Sequence, residues 1–341
     1  GELQDPAFVT FPAEIENPTG KQIEGDAVAS FLDRKDRKKL RLAPFSTVTV
    51  VFSEMKVTDP RIWWPNGIGQ PSLYSAVITF ETKEDGVFDR EDLTFGFREA
   101  GSYFDDKTGS RVFMINGQRI FIRGANWIAS DALLRLSPER YETEVKMHAD
   151  MNMNMIRVWG GSITERPEFY DACDRNGILV WQDLWITGDC NGRWNDTLKA
   201  ESQEQRRQYP DDDSLFIRSL EDQLRMLRNH SSLFLICGGN EFPPPPGLDA
   251  RVRKSVDDLG GLWVYLDEST SPELLKNTRG GTADGPYQIQ DPLWFFTEKW
   301  FPFNPEIGSV GLPNIETLKK IMEEKDLVPP RGDTINEVWN Y

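Results

Sequence analysis

The sequence predicts a multidomain β + α/β chain: an immunoglobulin-like β-sandwich over residues 1–98, then a (β/α)8 TIM barrel over 99–341, incomplete at its C-terminal end. Three observations lead there. Residues 1–98 carry short alternating apolar runs parted by polar turns, the pattern of a half-buried antiparallel sheet. From about residue 112, continuous apolar runs alternate with amphipathic helical spacing, the pattern of parallel β/α units. Polar or aromatic residues recur where those apolar runs end, which in a barrel is the active-site face.

In the first part, FVTFPAEIEN, STVTVVFSEM, SLYSAVITFET and DLTFGFREA read as strands. RIWWPNGIGQPSLY, dense in Pro and Gly, reads as a corner or long connection. FMINGQRIFIRGANW then offers a turn at Asn116-Gly117 and an apolar strand over IFIRG. SPERYETEVKMHADM has helical spacing, with Ser137 as N-cap and Pro138 in the first position. NMIRVWGG (strand), RPEFYDACDRNG (helix ending at Gly177), ILVWQDLW (strand), DDSLFIRSLEDQLRMLRNH (helix) and LFLICGGNE (strand) follow. GLWVYLDEST reads as a fifth strand, GTADGPYQIQDP as a loop, KWFPFNPEIGSVGLP as a strand leading to a carboxylate, and NIETLKKIMEE as a helix. DLVPPRGDTINEVWNY holds no eighth strand with its helix, so the chain is expected to stop before the barrel closes. A doubly wound sheet is the alternative; it would want a Gly-rich phosphate loop after its first strand, and RGANW is not one.

The formal charge of −16 repels nucleic acid and anionic membrane, so neither is an expected partner. The 11 Trp and 20 Phe are mostly core material, but large aromatics are also platforms for the flat apolar faces of sugar rings. Cys173 and Cys237 lie in apolar runs and read as small buried hydrophobes, and Cys190 lies in a polar loop, so no disulfide framework is expected. Neither His148 nor His230 belongs to a metal-ligand motif; no metal and no cofactor is expected. There is no run of 18 apolar residues and no signal peptide, and the opening GELQDPAFVTF is already strand-like.

Candidate site residues cluster at strand ends: Asn126-Trp127, Trp159, Trp185 and Asn240-Glu241. Glu241 and Glu306 each follow an apolar strand within a Gly/Pro-rich context that frees a carboxylate to face a pocket. Cleaving a glycosidic bond with retention needs two carboxyl groups about 5–5.5 Å apart, one to protonate the leaving oxygen and one to attack. Apolar surroundings and a neighbouring negative charge would raise the acid's pKa. The structural reading of either residue is a loop-surface carboxylate.

LFLICGGNE resembles the acid/base segment of glycoside hydrolase family 2, and FNPEIGSVGLP resembles its nucleophile segment. NGQRIFIRGANW, NMIRVWGG, DRNGILVWQDLW and WWPNGIGQPSLY match family segments in order. Within the family, RGANWIASDALLRLSPERY, HADMNMNMIRVWGG, ERPEFYDACDRNGILVWQDLWITGD, LRNHSSL and DGPYQIQDP are similar to the endo-β-mannosidase branch. That resemblance implies Glu241 as general acid/base, Glu306 as nucleophile and the Manβ1-4GlcNAc bond of the N-glycan core as substrate. It implies that Asn240 bonds the sugar 2-hydroxyl and that Arg157 holds the nucleophile ionised, which a guanidinium beside a carboxylate does. It places Trp127, Asp131, Trp185 and Tyr287 around the sugar. Packing is the competing reading of Trp127 and Trp185, and a helix-approach cap that of Asp131.

There are departures from the family pattern. The jelly-roll domain that usually opens these enzymes is missing, the stretch between VYLDEST and DGPYQIQ is shorter, and β-sandwich domains that usually follow the barrel are absent. Other polypeptide chains of the same processed enzyme are therefore expected partners, beside an oligosaccharide or glycopeptide substrate. Exo-β-D-glucosaminidase, exo-β-mannosidase and a catalytically silent carbohydrate-binding subunit are the alternatives. Sequons at Asn195 and Asn229 permit a secretory route, vacuolar, lysosomal or extracellular. Asn229, leading directly into an apolar strand, is expected to be poorly exposed.

Overall fold

The computed structural model describes residues 5–84, 86–107, 111–187, 210–259 and 263–269, and beyond them 285, 287, 291–297, 303–308, 313–328 and 338–339. Two compact units divide the chain: residues 1–283 with 300–306, and residues 284–299 with 307–341. Cys190, Asn195 and most of GTADGPYQIQDP lie outside the described residues.

The first unit opens with antiparallel strands β1 (Ala7–Val9), β2 (Pro12–Asn17), β3 (Ile23–Phe31), β4 (Arg34–Leu42), β5 (Ser46–Val51), β6 (Met55–Val57), β7 (Tyr74–Thr82) and β8 (Gly86–Phe95). They form a four-stranded sheet ordered β4-β3-β7-β8 and the pairs β2-β5 and β1-β6. Alternation puts Ala27, Ala29 and Phe31 of β3 beside Tyr74, Ala76 and Phe80 of β7 in one core with Phe11, Val50 and Phe52. Phe11 meets the Phe31 and Phe95 rings edge-on at 5.6 and 5.8 Å. The β3–β4 hairpin falls in a stretch with no sequence-level strand signal. β4, RKDRKKLRL, is a sheet edge whose outward side chains are charged; Arg37 bonds Asp26 at 2.9 Å and Glu81 at 2.7 Å across it.

The WWPNG connection joins these antiparallel strands to the rest of the unit. Trp63 is fully buried and its indole N–H donates to the Asp174 carbonyl at 2.9 Å. Asn66 donates its side-chain amide to the carbonyls of Ala149 and Met153, and its backbone N–H to that of Gly177. Gly177 has φ +68°, and a Cβ there would lie 2.8 Å from Asn66 N, so glycine serves both as helix C-cap and as seat for the corner.

Next come the antiparallel β9 (Ala100–Phe104), β10 (Arg111–Ile115) and β11 (Gln118–Arg119), then five parallel strands: β12 (Gly124–Trp127), β13 (Met155–Val158), β14 (Leu179–Asp183), β15 (Leu233–Cys237) and β16 (Val264–Leu266). They pair in chain order. Between them lie α1 (Pro138–Asp150), α2 (Pro167–Asn176), α3 (Asp213–Leu227) and α4 (Pro246–Asp258). Ser137 caps α1 with Pro138 at its first position, and α2 ends at Gly177, as the sequence predicts. The strand expected over IFIRG instead begins at Gly124, because Ile120 turns into the core and Asn154 ties down the neighbouring backbone. α4 has no counterpart in the sequence reading.

Both faces of the parallel sheet are covered, which is why its strands are apolar throughout. Ile156, Val158, Val180 and Ile236 pack under the helices against Tyr141, Val145, Phe169, Leu220, Leu224 and Val252. On the other face, Met155, Leu179, Trp181, Leu235, Cys237 and Leu266 pack with Trp63, Phe113 and Ile115. The second unit contains α5 (Trp294–Thr297) and α6 (Ile315–Ile321), the latter capped by the Asn314 side chain. Among the described residues, no helix is long and apolar enough to cross a membrane.

Candidate active site

The candidate site lies at the carboxyl ends of the parallel strands. Arg157 sits third in β13, on the face opposite the helices, and is 3% exposed. Asp183 ends β14 and is fully buried. Their pairing is multidentate: Arg157 Nη2 donates to Asp183 Oδ2 at 2.7 Å, and Nε lies 3.1 Å from Oδ2 and 3.3 Å from Oδ1. Trp181 Nε1 donates to Asp183 Oδ1 at 2.7 Å, and the Gly160 N–H to Oδ2 at 3.3 Å. Burial alone would push the Arg157 guanidinium down; the Asp183 carboxylate, with Glu306 behind it, instead holds it above its ordinary value.

The rest of the guanidinium faces the predicted site residues. Nη2 also donates to Asn240 Oδ1 at 2.5 Å. Nη1 donates to Glu306 Oε2 at 3.1 Å and reaches the Pro305 carbonyl at 3.4 Å. With Asn240 Oδ1 occupied, its amide N–H groups are the end left to address a ligand.

Glu241 follows Asn240 directly and adopts φ +56°, a left-handed conformation a side chain rarely takes. Three backbone links fix it. Asn240 N–H donates to the Ile186 carbonyl at 2.7 Å, Ser269 N–H to Gly239 O at 3.0 Å, and Glu241 N–H to Ser269 Oγ at 2.9 Å. Gly239 is required here, since a Cβ would lie 2.2 Å from Phe242 O. Glu306 is anchored differently. Phe303 stacks on Trp181 with centroids 5.9 Å apart and planes 10° apart, and meets Phe113 edge-on at 5.2 Å. Asn304 Oδ1 then accepts the Glu306 N–H at 3.0 Å, turning the chain toward Arg157.

Three of the eight predicted residues thus come together, Arg157, Asn240 and Glu306, and Glu241 follows Asn240 in the chain. Trp127 requires correction. It pairs in register with Val158 and so points to the helix face, where its ring lies 4.9 Å from Phe169 and its N–H donates to buried Glu165 at 2.8 Å. Asp131 is engaged elsewhere too. Its carboxylate takes Arg135 at 2.8 Å, Arg140 at 3.4 Å and the Leu133 N–H, the hydrogen bond from Arg135 foremost in holding its pKa down. It closes a turn ahead of α1, whose N-cap is Ser137. Trp185 is half-buried, with Phe216 edge-on at 5.4 Å. Tyr287 belongs to the second unit and is half exposed.

Asp183, Ser269 and Phe303 escape the sequence reading. Asp183 carried a usable signal, since it ends the apolar run ILVWQD as Glu241 follows LFLICGGN. Asn229, expected to be poorly exposed, is exposed. Its neighbour His230 forms a separate cluster, with Nδ1 2.7 Å from Asp174 Oδ2 and 3.8 Å from Asp171 Oδ1, while Asp174 Oδ1 accepts the Ser232 N–H. Both Asp174 oxygens are engaged there.

A polar cluster at the carboxyl ends of parallel strands is the ligand-binding position of α/β enzymes. The family described as "Glycosyl hydrolases family 2" matches residues 3–98. Mannosylglycoprotein endo-beta-mannosidase of Lilium longiflorum is 40% identical over 94% of this chain and 36% of its own length. Beta-mannosidase B of Emericella nidulans is 34% identical over 95% of this chain and 40% of its own. The chain belongs to glycoside hydrolase family 2. It spans about 36–40% of the length of these two relatives. Among solved structures, the exo-chitosanase CsxA of Amycolatopsis orientalis aligns with a TM-score of 0.76 at 22% identity, over 94% of this chain and 38% of that one. A β-D-mannosidase from Dictyoglomus thermophilum aligns with a TM-score of 0.71 at 23% identity, over 95% and 41%. At these identities the likeness concerns the fold.

Proposed function

We propose that this chain carries the catalytic centre of a retaining β-mannosidic glycoside hydrolase that cleaves the Manβ1-4GlcNAc bond of N-glycan cores. The observation that carries the reading is one buried guanidinium bonded both to Glu306 and to Asn240, the residue next to Glu241. Glu306 Oε attacks the anomeric carbon and the bond to the leaving oxygen breaks. Glu241 gives that oxygen its proton. Glu241, now a carboxylate, takes a proton from water, whose oxygen attacks the same carbon and releases Glu306 with the configuration retained. Arg157 keeps Glu306 ionised for the first step, and the Asn240 amide donates to the sugar 2-hydroxyl. Trp185 belongs to the same reading as a contact of the sugar.

The five parallel strands, on this reading, are part of a (β/α)8 barrel, with the antiparallel region through residue 98 as an immunoglobulin-like domain. Companion polypeptides of the same processed enzyme belong to it as well; a native mass equal to that of the single chain on size exclusion would remove them.

Likeness to the fungal β-mannosidases favours one second reading, exo action on terminal mannose. Turnover of a Manβ1-4GlcNAc-bearing glycopeptide, compared with nitrophenyl β-mannoside and chitosan oligomers, separates endo-mannosidase, exo-mannosidase and glucosaminidase. Unchanged turnover in Glu306→Ala would refute the mechanism.

A further inference from the structure

Asp183 has no task in the proposed reaction, yet it holds more of Arg157 than Glu306 or Asn240 does. It takes the Nε–Nη2 edge of the guanidinium through three contacts of 2.7 to 3.3 Å. Glu306 receives Nη1 alone, at 3.1 Å. Among the described residues, the titratable groups acting most on Arg157 are Asp183 from β14, then Cys237 from β15 and Glu306. Burial pushes the Cys237 thiol well up, so it stays neutral. The charge balance is therefore one cation shared between two carboxylates, of which one is fully buried and the other a quarter exposed.

We propose that Asp183 is a positioning and charge-balancing residue: by occupying the Nε–Nη2 edge of Arg157 it aims Nη1 at Glu306, and by neutralising most of the cation it keeps Glu306 nucleophilic. A carboxylate alone against a buried guanidinium is stabilised as an anion and becomes a poorer attacking group, since nucleophilicity falls with basicity. A second carboxylate on the same cation removes that penalty while the site stays ordered. Asp183 is suited to this because its own geometry is fixed independently of Arg157, by Trp181 Nε1 on one oxygen and the Gly160 N–H on the other.

The inference rests on Glu306 being the nucleophile, and its test has a readout that does not need turnover. Carboxyl carbons of glutamate are followed by NMR through a pH titration of the full chain, and Glu306 is assigned by the resonance missing from Glu306→Gln. Asp183→Asn keeps shape and removes the charge; the Glu306 pKa should fall by on the order of one unit, a tenfold change in its protonation equilibrium. With a β-mannoside substrate, the acidic limb of kcat/KM should move down in Asp183→Asn by the same amount, kcat falling and KM changing little. A Glu306 titration unmoved in folded Asp183→Asn overturns the proposal. Absence of turnover in the wild-type chain would count against the proposed function and leave the titration fully readable.

Discussion

Arg157 Nη1 lies 3.1 Å from Glu306 Oε2 while its Nη2 lies 2.7 Å from Asp183 Oδ2, so one β13 side chain ties the end of β14 to a loop almost 150 positions further along the chain. Arg157 is 4% exposed at its side chain and Asp183 not at all. Removing one partner of such a pair leaves a buried charge uncompensated. Arg157→Met should cost about 3–5 kcal/mol of unfolding free energy. Arg157→Met with Asp183→Leu together should recover much of that stability but none of the activity. Denaturant unfolding of the two variants measures both, and a single variant as stable as wild type would contradict the pairing.

Glu306 owes its place to a ring three residues before it, with Asn304 handing the chain on between them. Phe303 is held between the Trp181 face and the Phe113 edge. Phe303→Ala should leave the antiparallel and parallel sheets folded, at a cost of about 1–3 kcal/mol because the ring is only partly buried. Its larger effect should be on kcat, because a nucleophile displaced by about 1 Å costs on the order of 10²-fold. Phe303→Leu should restore more stability than activity. The kinetic comparison of the two decides it: equal recovery of both would mean the ring fills space and does not aim the segment.

Ser269 holds Glu241 from behind. Its hydroxyl oxygen accepts the Glu241 N–H at 2.9 Å, where the backbone sits at φ +56°. Such a conformation persists only where its surroundings enforce it. Ser269→Ala should cost about 1 kcal/mol in stability and lower turnover of a substrate whose leaving group needs protonation. Substrates with acidic phenol leaving groups should be affected less, since they depart without help from Glu241. A uniform loss across leaving groups would assign Ser269 to folding alone.

Sequence alone made part of this readable. The parallel strands stood out because burial on both faces leaves no polar alternation, and α1 and α2 stood out because Ser137, Pro138 and Gly177 mark their ends. Glu241 and Glu306 were visible as carboxylates after apolar runs. What failed has specific causes. β4 spends its outward positions on Lys and Arg, as an edge strand does, and so resembles a loop. α4 follows a run of prolines that reads as a break. Trp127 was placed around the sugar by resemblance; alternation along β12 turns it to the helices, while Asn126, in register with Arg157, shares the face of Arg157. Phe303 gave no signal, because its value lies in two rings distant in sequence, Trp181 and Phe113.

His230 supplies a pH dependence outside the active site. Burial opposes charging its ring, but the hydrogen bond to Asp174, then the charges of Asp174 and Asp171, outweigh it and raise the pKa above 6.5. Arg98, whose pKa burial pulls down to about 10, is the charged group facing Asp174 from the sandwich side. A group whose pKa is higher in the folded than in the unfolded chain binds its proton more tightly when folded. Its stabilisation is therefore complete below about pH 6.5 and is lost as the pH rises through the raised folded value. Because Asp174 also accepts the Ser232 N–H, and its carbonyl accepts the Trp63 indole, the loss falls on the joint between sandwich and sheet. The melting temperature of the wild type should exceed that of His230→Ala by more at pH 6 than at pH 9. The gap should narrow across the His230 titration, and should depend less on pH in an Asp174→Asn background, where only Asp171 remains beside the ring. A gap that widens with pH would mean that the ring is buried neutral and that Asp174 is held by Ser232 alone.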